Sequence, residues 1–217
     1  MQREQTPLQR IVADFAQSKL ALSGLAVLVL ILLVAVFAPL ISPQNPYDLA
    51  QLDVQDSRLP PGTRSGDGMT FWLGSDDQGR DILSGIFYGL RISLGVGVAS
   101  TLCAVIIGLT MGLCAAYFGG RTDSVIMRFV DIQLSFPAIL IALILLALLG
   151  QGIEKTIFAL IAVQWAYYAR TVRSTALVER RKEYIEAAMC LALPPARIVF
   201  RHLLPNCLPP LIVIATV

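Results

Sequence analysis

Residues 20–41 carry no charged side chain, and no other feature limits the fold as strongly. At about 1.5 Å per residue, a helix of that length crosses a hydrocarbon core of about 30 Å. Lipid offers backbone amides no partners, so such a run must satisfy its own hydrogen bonds as a helix. A cleaved leader is the competing reading. The run is longer than a typical leader core, no A-x-A site follows it, and Pro39 falls just after Ala38, the nearest small-residue candidate. Residues 20–41 are therefore read as an uncleaved span, ended by Pro39, Pro43 and Pro46, each of which removes a backbone donor.

The remaining apolar residues also come in blocks. Hydrophobic residues make up 56% of the 217 positions and charged ones only 15%, against about a quarter in soluble domains. A second block covers residues 92–118, closed by Gly119 and Gly120. A third covers residues 132–149, with Pro137 inside it. A fourth covers residues 157–169, which residues 171–178 can extend into the interface while Arg170 and Arg173 snorkel. A fifth starts at Leu208 and stops after ten residues, too few to cross, so the chain reads as truncated in its fifth transmembrane helix. The fold class is an all-α membrane protein, a polytopic helical bundle.

Lys and Arg counts orient it. With the N-terminus inside, twelve basic residues fall in inner segments and five in outer ones, while the outer loop collects seven aspartates. This divides the chain into a cytoplasmic segment 1–19, a first transmembrane helix 20–41, an extracytoplasmic loop with an interfacial helix 42–91, and a core 92–217. The core carries a cytoplasmic loop at about 179–204.

That loop breaks the apolar pattern with E-Y-I-E-A-A-M-C-L-A-L-P-P. Tyr184, Ala187, Ala188 and Leu191 fall on one helical face. Glu183 and Glu186 lie near the N-terminus, where the helix dipole favours carboxylates. Ala187 and Ala188 permit close approach by another backbone. Pro194-Pro195 stops the helix, and Pro195 can open the next at its first position. The segment reads as a short helix, a turn, a second helix and then the span at Leu208. It is either a docking helix or an amphipathic loop on the headgroups.

Before the second block lies F-W-L-G-S-D-D-Q-G-R-D-I-L-S-G-I-F-Y-G-L. Ser75 with Gln78 fits a capping box, and Asp76 and Asp77 suit a first helical turn. Ile82, Leu83, Ile86, Phe87 and Leu90 form an apolar stripe suited to the interface. The aspartates lack the alternate ligands and closing Glu of a calcium loop. Gly108 and Gly112 form GxxxG, which serves either a generic close contact or a dimer seam. Arg128 and Asp131 are read as pairing or snorkelling. The lone His202 is read as structural, and Cys103, Cys114, Cys190 and Cys207 as reduced thiols rather than a disulfide frame or metal site.

No G-x-x-x-x-G-K-[ST] occurs, so this chain does not cradle ATP phosphates. No cluster of Asp, Glu or His lies at mid-membrane depth, as a proton relay needs.

E-A-A at Glu186, Ala187 and Ala188, followed by H-L-L-P from His202 to Pro205, resembles the EAA loop of permease subunits in binding-protein-dependent ABC importers. The stretch Leu73, Gly74, Asp76, Asp77, Gly79, Arg80, Asp81 resembles the L-G-T-D-x-x-G-R-D segment of the dipeptide, oligopeptide and nickel branch, specifically its second permease subunit. With the W-x-Y-Y-A-R-x-V-R run from Trp165 to Arg173, the resemblance covers nearly the whole chain. It implies the type I importer permease fold and a coupling helix formed by Glu183, Tyr184, Glu186, Ala187, Ala188, Leu191 and Ala192. That helix would dock on a cytoplasmic ATPase. It also implies a homologous permease partner in a heterodimer, two ATPase subunits that use ATP and Mg, an extracytoplasmic binding protein, and a bacterial or archaeal cytoplasmic membrane. The chain itself would bind no cofactor and catalyse nothing. Substrate-binding residues are not legible. The family usually has glycine four residues after the second alanine, where this chain has Ala192. A glycine there serves either a positive-φ turn, where alanine costs stability, or close packing, where alanine is nearly as good.

Di- or oligopeptides are the expected cargo, with nickel or another small solute as an alternative. An ion- or proton-driven carrier would need midplane charges or a repeat, and a membrane scaffold would leave the Glu183 helix unexplained.

Overall fold

The computed structural model describes residues 15–66 and 68–216, in two compact units, Met1–Gly95 and Val96–Val217. The expected N-terminal segment, with Arg3 and Arg10, lies largely outside the described residues.

In the first unit, α1 spans Lys19–Ile41, 23 residues or about 34 Å. The Ser18 hydroxyl accepts from the Ala21 amide at 3.2 Å and caps its start. Its side chains are apolar all round and almost all exposed; only Ala35 and Ala38 are buried. Pro39 does not end the helix as the sequence suggests. It lies inside α1, and the chain leaves helical geometry at Ser42, just before Pro43. Proline this close to a C-terminus forfeits one bond to the preceding turn and leaves the rest of the helix intact.

The loop after α1 is ordered without regular periodicity. Asp48 and Asp53 cap two short 3₁₀ turns, Leu49–Gln51 and Val54–Asp56. A small hairpin then pairs β1, Thr63–Arg64, with β2, Thr70–Phe71, setting Thr63 opposite Phe71. Phe71 is fully buried.

Helix α2 runs Ile82–Phe118 without interruption, 37 residues or about 55 Å, and continues from the first unit into the second. The interfacial stripe and the second block, separate in the sequence reading, are one helix. Gly119 and Gly120 close it with φ of 64° and 51°.

The second unit continues with α3, Gly120–Leu134, and α4, Ala138–Leu149. The third block is not one helix. Residues 132–134 belong to α3, Pro137 precedes the first turn of α4, and the two helices bend by 86°. Proline disfavours helix at the residue before it, here Phe136, and that forces the corner. Alone, α4 is about 18 Å long, too short to cross.

Helix α5, Ile153–Arg180, is the central element, packed against α3, α4 and a later helix. After it come α6, Glu183–Cys190, and α7, Pro195–Ala215. The second helix expected at Pro195 and the span expected at Leu208 are thus one helix. Its 21 residues reach about 31 Å, and a wider π-helical stretch, Ile198–Leu203, absorbs the join.

By length and composition, α1, α2 and α7 can each cross a membrane, and the bent α3–α4 pair makes a fourth span if counted as one. Helix α5, about 42 Å long, is too polar to be counted with them. It is sheltered by its neighbours, with Ala159, Ala166, Ala169 and Ala176 buried along it. Small residues let helix backbones approach where lipid supplies no hydrophobic drive.

The GxxxG pair shows this directly. A Cβ on Gly108 would meet the Tyr168 Cβ at 2.5 Å, and one on Gly112 would meet the Ala169 carbonyl at 2.6 Å. The motif seats α2 on α5 within this chain.

Ion pairs lock α3 to α5. Arg173 grips Asp123 with two nitrogens, and Arg170 pairs with Asp131. Asp131 therefore answers Arg170 on the neighbouring helix, not Arg128 on its own, and Arg170 and Arg173 are each paired rather than merely snorkelling. Gln133 adds a bond to the Val163 carbonyl at 3.0 Å.

Candidate functional site

The polar break between α5 and α7 is built from a tight corner. Helix α5 ends at Arg180, whose guanidinium donates to the Ala116 carbonyl of α2 at 2.9 Å and lies over the Tyr117 ring. Lys182 takes extended geometry, and α6 begins at Glu183. Glu183 and Glu186 occupy its first turn. No side chain caps that end, so the two carboxylates are its electrostatic complement.

The inward face of α6 differs from the face read in the sequence. Ile185 is fully buried and Ala188 nearly so, packed with Val172 and Ala176 of α5 and Ile198 and Leu203 of α7. Glu183, Glu186, Ala187 and Leu191 are exposed. Of the stripe Tyr184, Ala187, Ala188 and Leu191, only Ala188 turns inward. Ile185, which the apolar count passed over, is the anchor.

The helix stops before the prolines. The Ala192 amide donates to the Met189 carbonyl at 2.9 Å, and the Leu193 amide to the Ala188 carbonyl at 3.3 Å. This pair of bonds is the left-handed cap that glycine usually completes. Ala192 makes the turn at φ 53°. The turn alternative is therefore the one the structure adopts, and Pro194-Pro195 only opens the next helix, with Pro195 at its start.

Two polar side chains that the sequence did not single out, Glu179 and Asn206, meet at Tyr184. Its ring is exposed, but its hydroxyl donates to Glu179 Oε2 at 2.7 Å and accepts from Asn206 Nδ2 at 2.9 Å. Lys182 holds the other Glu179 oxygen at 2.7 Å. Desolvation of the hydroxyl, then the Glu179 carboxylate beside it, push the Tyr184 phenol up to about 12. A signal existed: Glu179 is the sole acidic residue between Glu154 and Glu183.

The L-G-S-D-D-Q-G-R-D stretch forms a second constellation within the first unit. It is a turn, not the start of a helix. Ser75 caps no helix: its hydroxyl accepts from the Leu59 amide at 2.8 Å and donates to the Asp56 carbonyl. Asp76 accepts from the amides of Gln78 and Arg80 at 2.8 and 2.9 Å, and Asp77 pairs with Arg58. Gly74 and Gly79 take φ of 85° and 77° with neighbouring backbone pressed against them. The true cap of α2 is Asp81, fully buried, accepting from the Ser84 amide at 2.8 Å and its hydroxyl at 2.6 Å. Gln44 accepts from the Asp81 amide at 2.8 Å and donates to the Gln51 carbonyl at 2.9 Å, tying the end of α1 to this turn. Leu73 stays exposed and Arg80 half-buried.

Among the described residues no three His, Cys, Asp or Glu side chains gather as a metal site would require. His202 contributes a backbone carbonyl to Asn206. What the α6 region exposes is two carboxylates and small side chains on a short anchored helix.

Long apolar helices around a small-residue core, with a short polar helix held against two of them, are the architecture of a multi-pass helical membrane protein. The chain belongs to the family of binding-protein-dependent transport system inner membrane components, whose pattern matches residues 104–217. Residues 6–61 match the N-terminal transmembrane domain of oligopeptide transport permease C. The chain is 41% identical over 212 residues to the dipeptide transport system permease protein DppC of Escherichia coli, covering 97% of this chain and 69% of the relative. It is 36% identical over 212 residues to the di/tripeptide transport system permease protein DppC of Pseudomonas aeruginosa, with the same coverage of 97% and 69%. It is 35% identical over 202 residues to the oligopeptide transport system permease protein OppC of Bacillus subtilis, covering 93% of this chain and 63% of that protein. The chain thus spans about two-thirds of the length of these relatives.

Proposed function

We propose that this chain is a transmembrane permease subunit of an ATP-driven importer of di- or oligopeptides, and that α6 is where separate ATPase subunits engage it. The observation that carries the reading is the division of labour on α6. Ile185 and Ala188 anchor it between α5 and α7, while Glu183, Glu186, Ala187 and Leu191 face outward. An exposed acidic face on so short a helix has no use in lipid, where charge is costly. It suits a groove on a soluble partner. The named relatives, all short-peptide permeases, support the cargo class.

In this reading the chain pairs with a homologous permease, and two ATPase subunits bind and hydrolyse ATP with Mg. A loaded extracytoplasmic binding protein docks on the outer face, partly on the loop 47–80. The membrane is the bacterial or archaeal cytoplasmic membrane, with the N-terminus and α6 on the cytoplasmic side. ATP-driven closure of the ATPase pair pushes α6 and turns the permease pair outward; hydrolysis resets it. A proton- or ion-driven carrier is not favoured by the family match.

Glu186→Lys reverses a charge on the outward face without touching Ile185 or Ala188. The variant is expected to insert normally and lose peptide uptake; normal uptake would sink the docking role.

A further inference from the structure

We propose that Glu179, Tyr184 and Asn206 form a clamp that makes α6 move as one body with α5 and α7, so that Tyr184 is a positioning residue and not part of the docking face. The proposal rests on the reading that α6 receives an ATPase.

An eight-residue helix is too short to hold itself together in water. Helix α6 buries only Ile185 and Ala188, which resist being pushed inward but offer little against sideways or outward pull. The clamp supplies the missing direction. Glu179 stands on the last turn of α5, Tyr184 on the first turn of α6 and Asn206 on α7, so one hydrogen-bonded chain crosses three elements.

Its members are almost fully committed. Glu179, only 9% exposed, gives one oxygen to Lys182 and the other to Tyr184. The Tyr184 hydroxyl donates once and accepts once. Asn206 Nδ2 serves both that hydroxyl and the His202 carbonyl, at 2.9 and 2.8 Å. The raised phenol keeps its proton at cellular pH, so the donor persists. Charge-assisted bonds of this kind are shorter and stronger than neutral ones. A displacement imposed on the outward face of α6 is thereby delivered to α5, which carries the α2, α3 and α4 contacts, and to α7.

The test uses the full-length importer with its partner subunits in proteoliposomes, reading ATPase co-purification and peptide imported per ATP hydrolysed. Tyr184→Phe removes only the hydroxyl. It is expected to retain the ATPase and its hydrolysis while import per ATP falls at least about fivefold, the lower end of typical coupling between sites. Asn206→Leu breaks the same chain from α7 and is expected to fall alike. The double variant is expected to be no worse than either single, because one network is lost once. Glu179→Gln keeps an acceptor for the hydroxyl and is expected to retain more coupling than Glu179→Ala. Wild-type import per ATP in Tyr184→Phe and Asn206→Leu would overturn the clamp alone. So would loss of the ATPase from Tyr184→Phe, which would make the tyrosine a docking contact. A wild-type chain that recruits no ATPase would overturn the docking reading and the clamp together.

Discussion

The Leu193 amide reaches back to the Ala188 carbonyl at 3.3 Å, and Ala192 between them turns through φ 53°. An L-residue in that region brings its Cβ against the following carbonyl, at a cost of about 1–2 kcal/mol. Ala192 is exposed, so burial of its methyl offsets little of that cost. Ala192→Gly is expected to stabilise the chain by about 1 kcal/mol. In a domain of this size that raises the melting temperature by about 2–4 °C in a detergent melt. An unchanged or lower midpoint would show that the turn is not strained.

Gly108 and Gly112 have no room for a methyl: the added Cβ atoms would lie 2.5 Å from the Tyr168 Cβ and 2.6 Å from the Ala169 carbonyl. Gly95 and Gly97, on the same helix, meet nothing within 4 Å. Gly108→Ala should therefore cost about 1–3 kcal/mol by overpacking, whereas Gly95→Ala should be neutral or slightly stabilising. Melting midpoints of the two variants, side by side, decide it. Equal midpoints would mean α2 and α5 are not seated glycine to backbone.

Gly79 and Gly62 separate sterics from conformation. Both have positive φ, 77° and 83°, but a Cβ on Gly79 would sit 2.1 Å from the Asp53 carbonyl, while one on Gly62 meets nothing. Gly62→Ala should cost about 1 kcal/mol and Gly79→Ala at least twice that, since backbone must shift as well. Limited proteolysis of the 42–81 loop reads the difference: Gly79→Ala should be cut markedly faster.

Arg173 and Asp123 form a two-nitrogen pair with side chains 31% and 20% exposed. Removing either partner strands the other in a half-buried position, so Asp123→Ala or Arg173→Ala should cost about 1–3 kcal/mol. The double substitution should cost less than the sum of the singles, and a double-mutant cycle on melting free energies measures that coupling. Strict additivity would show that the pair does not hold α3 to α5.

Helix identity is legible wherever apolar blocks are long, because lipid leaves a backbone few alternatives. Residues 20–41 differ from α1 by a single residue at the start. Punctuation is where the local pattern misleads. Pro39 reads as a stop, yet the helix runs past it, and Ser75 reads as the cap of a helix that Asp81 caps. A capping box is a local pattern, and the competing bonds to Leu59 and Asp56 come from residues 16 and 19 positions away. Pro195 announces the start of α7, but its continuity with the apolar run at Leu208 is hidden because Arg197, Arg201 and His202 mask an apolar face beginning at Ile198. On α6 the choice of face turns on Tyr184, which is amphipathic: its ring faces out and its hydroxyl reaches in. Glu179 and Asn206 lie 27 residues apart in the sequence, and nothing local announces that one tyrosine joins them.

The proposed role of this chain is that of a permease driven by another polypeptide's ATP hydrolysis through α6. Its most direct test is to purify the full-length protein with its neighbours and measure ATP hydrolysis with and without a dipeptide-loaded binding protein. An ATPase and a second permease are expected to co-purify, and the loaded binding protein to stimulate hydrolysis. A chain that purifies alone and takes up substrate on an ion gradient, with no ATP, would contradict it.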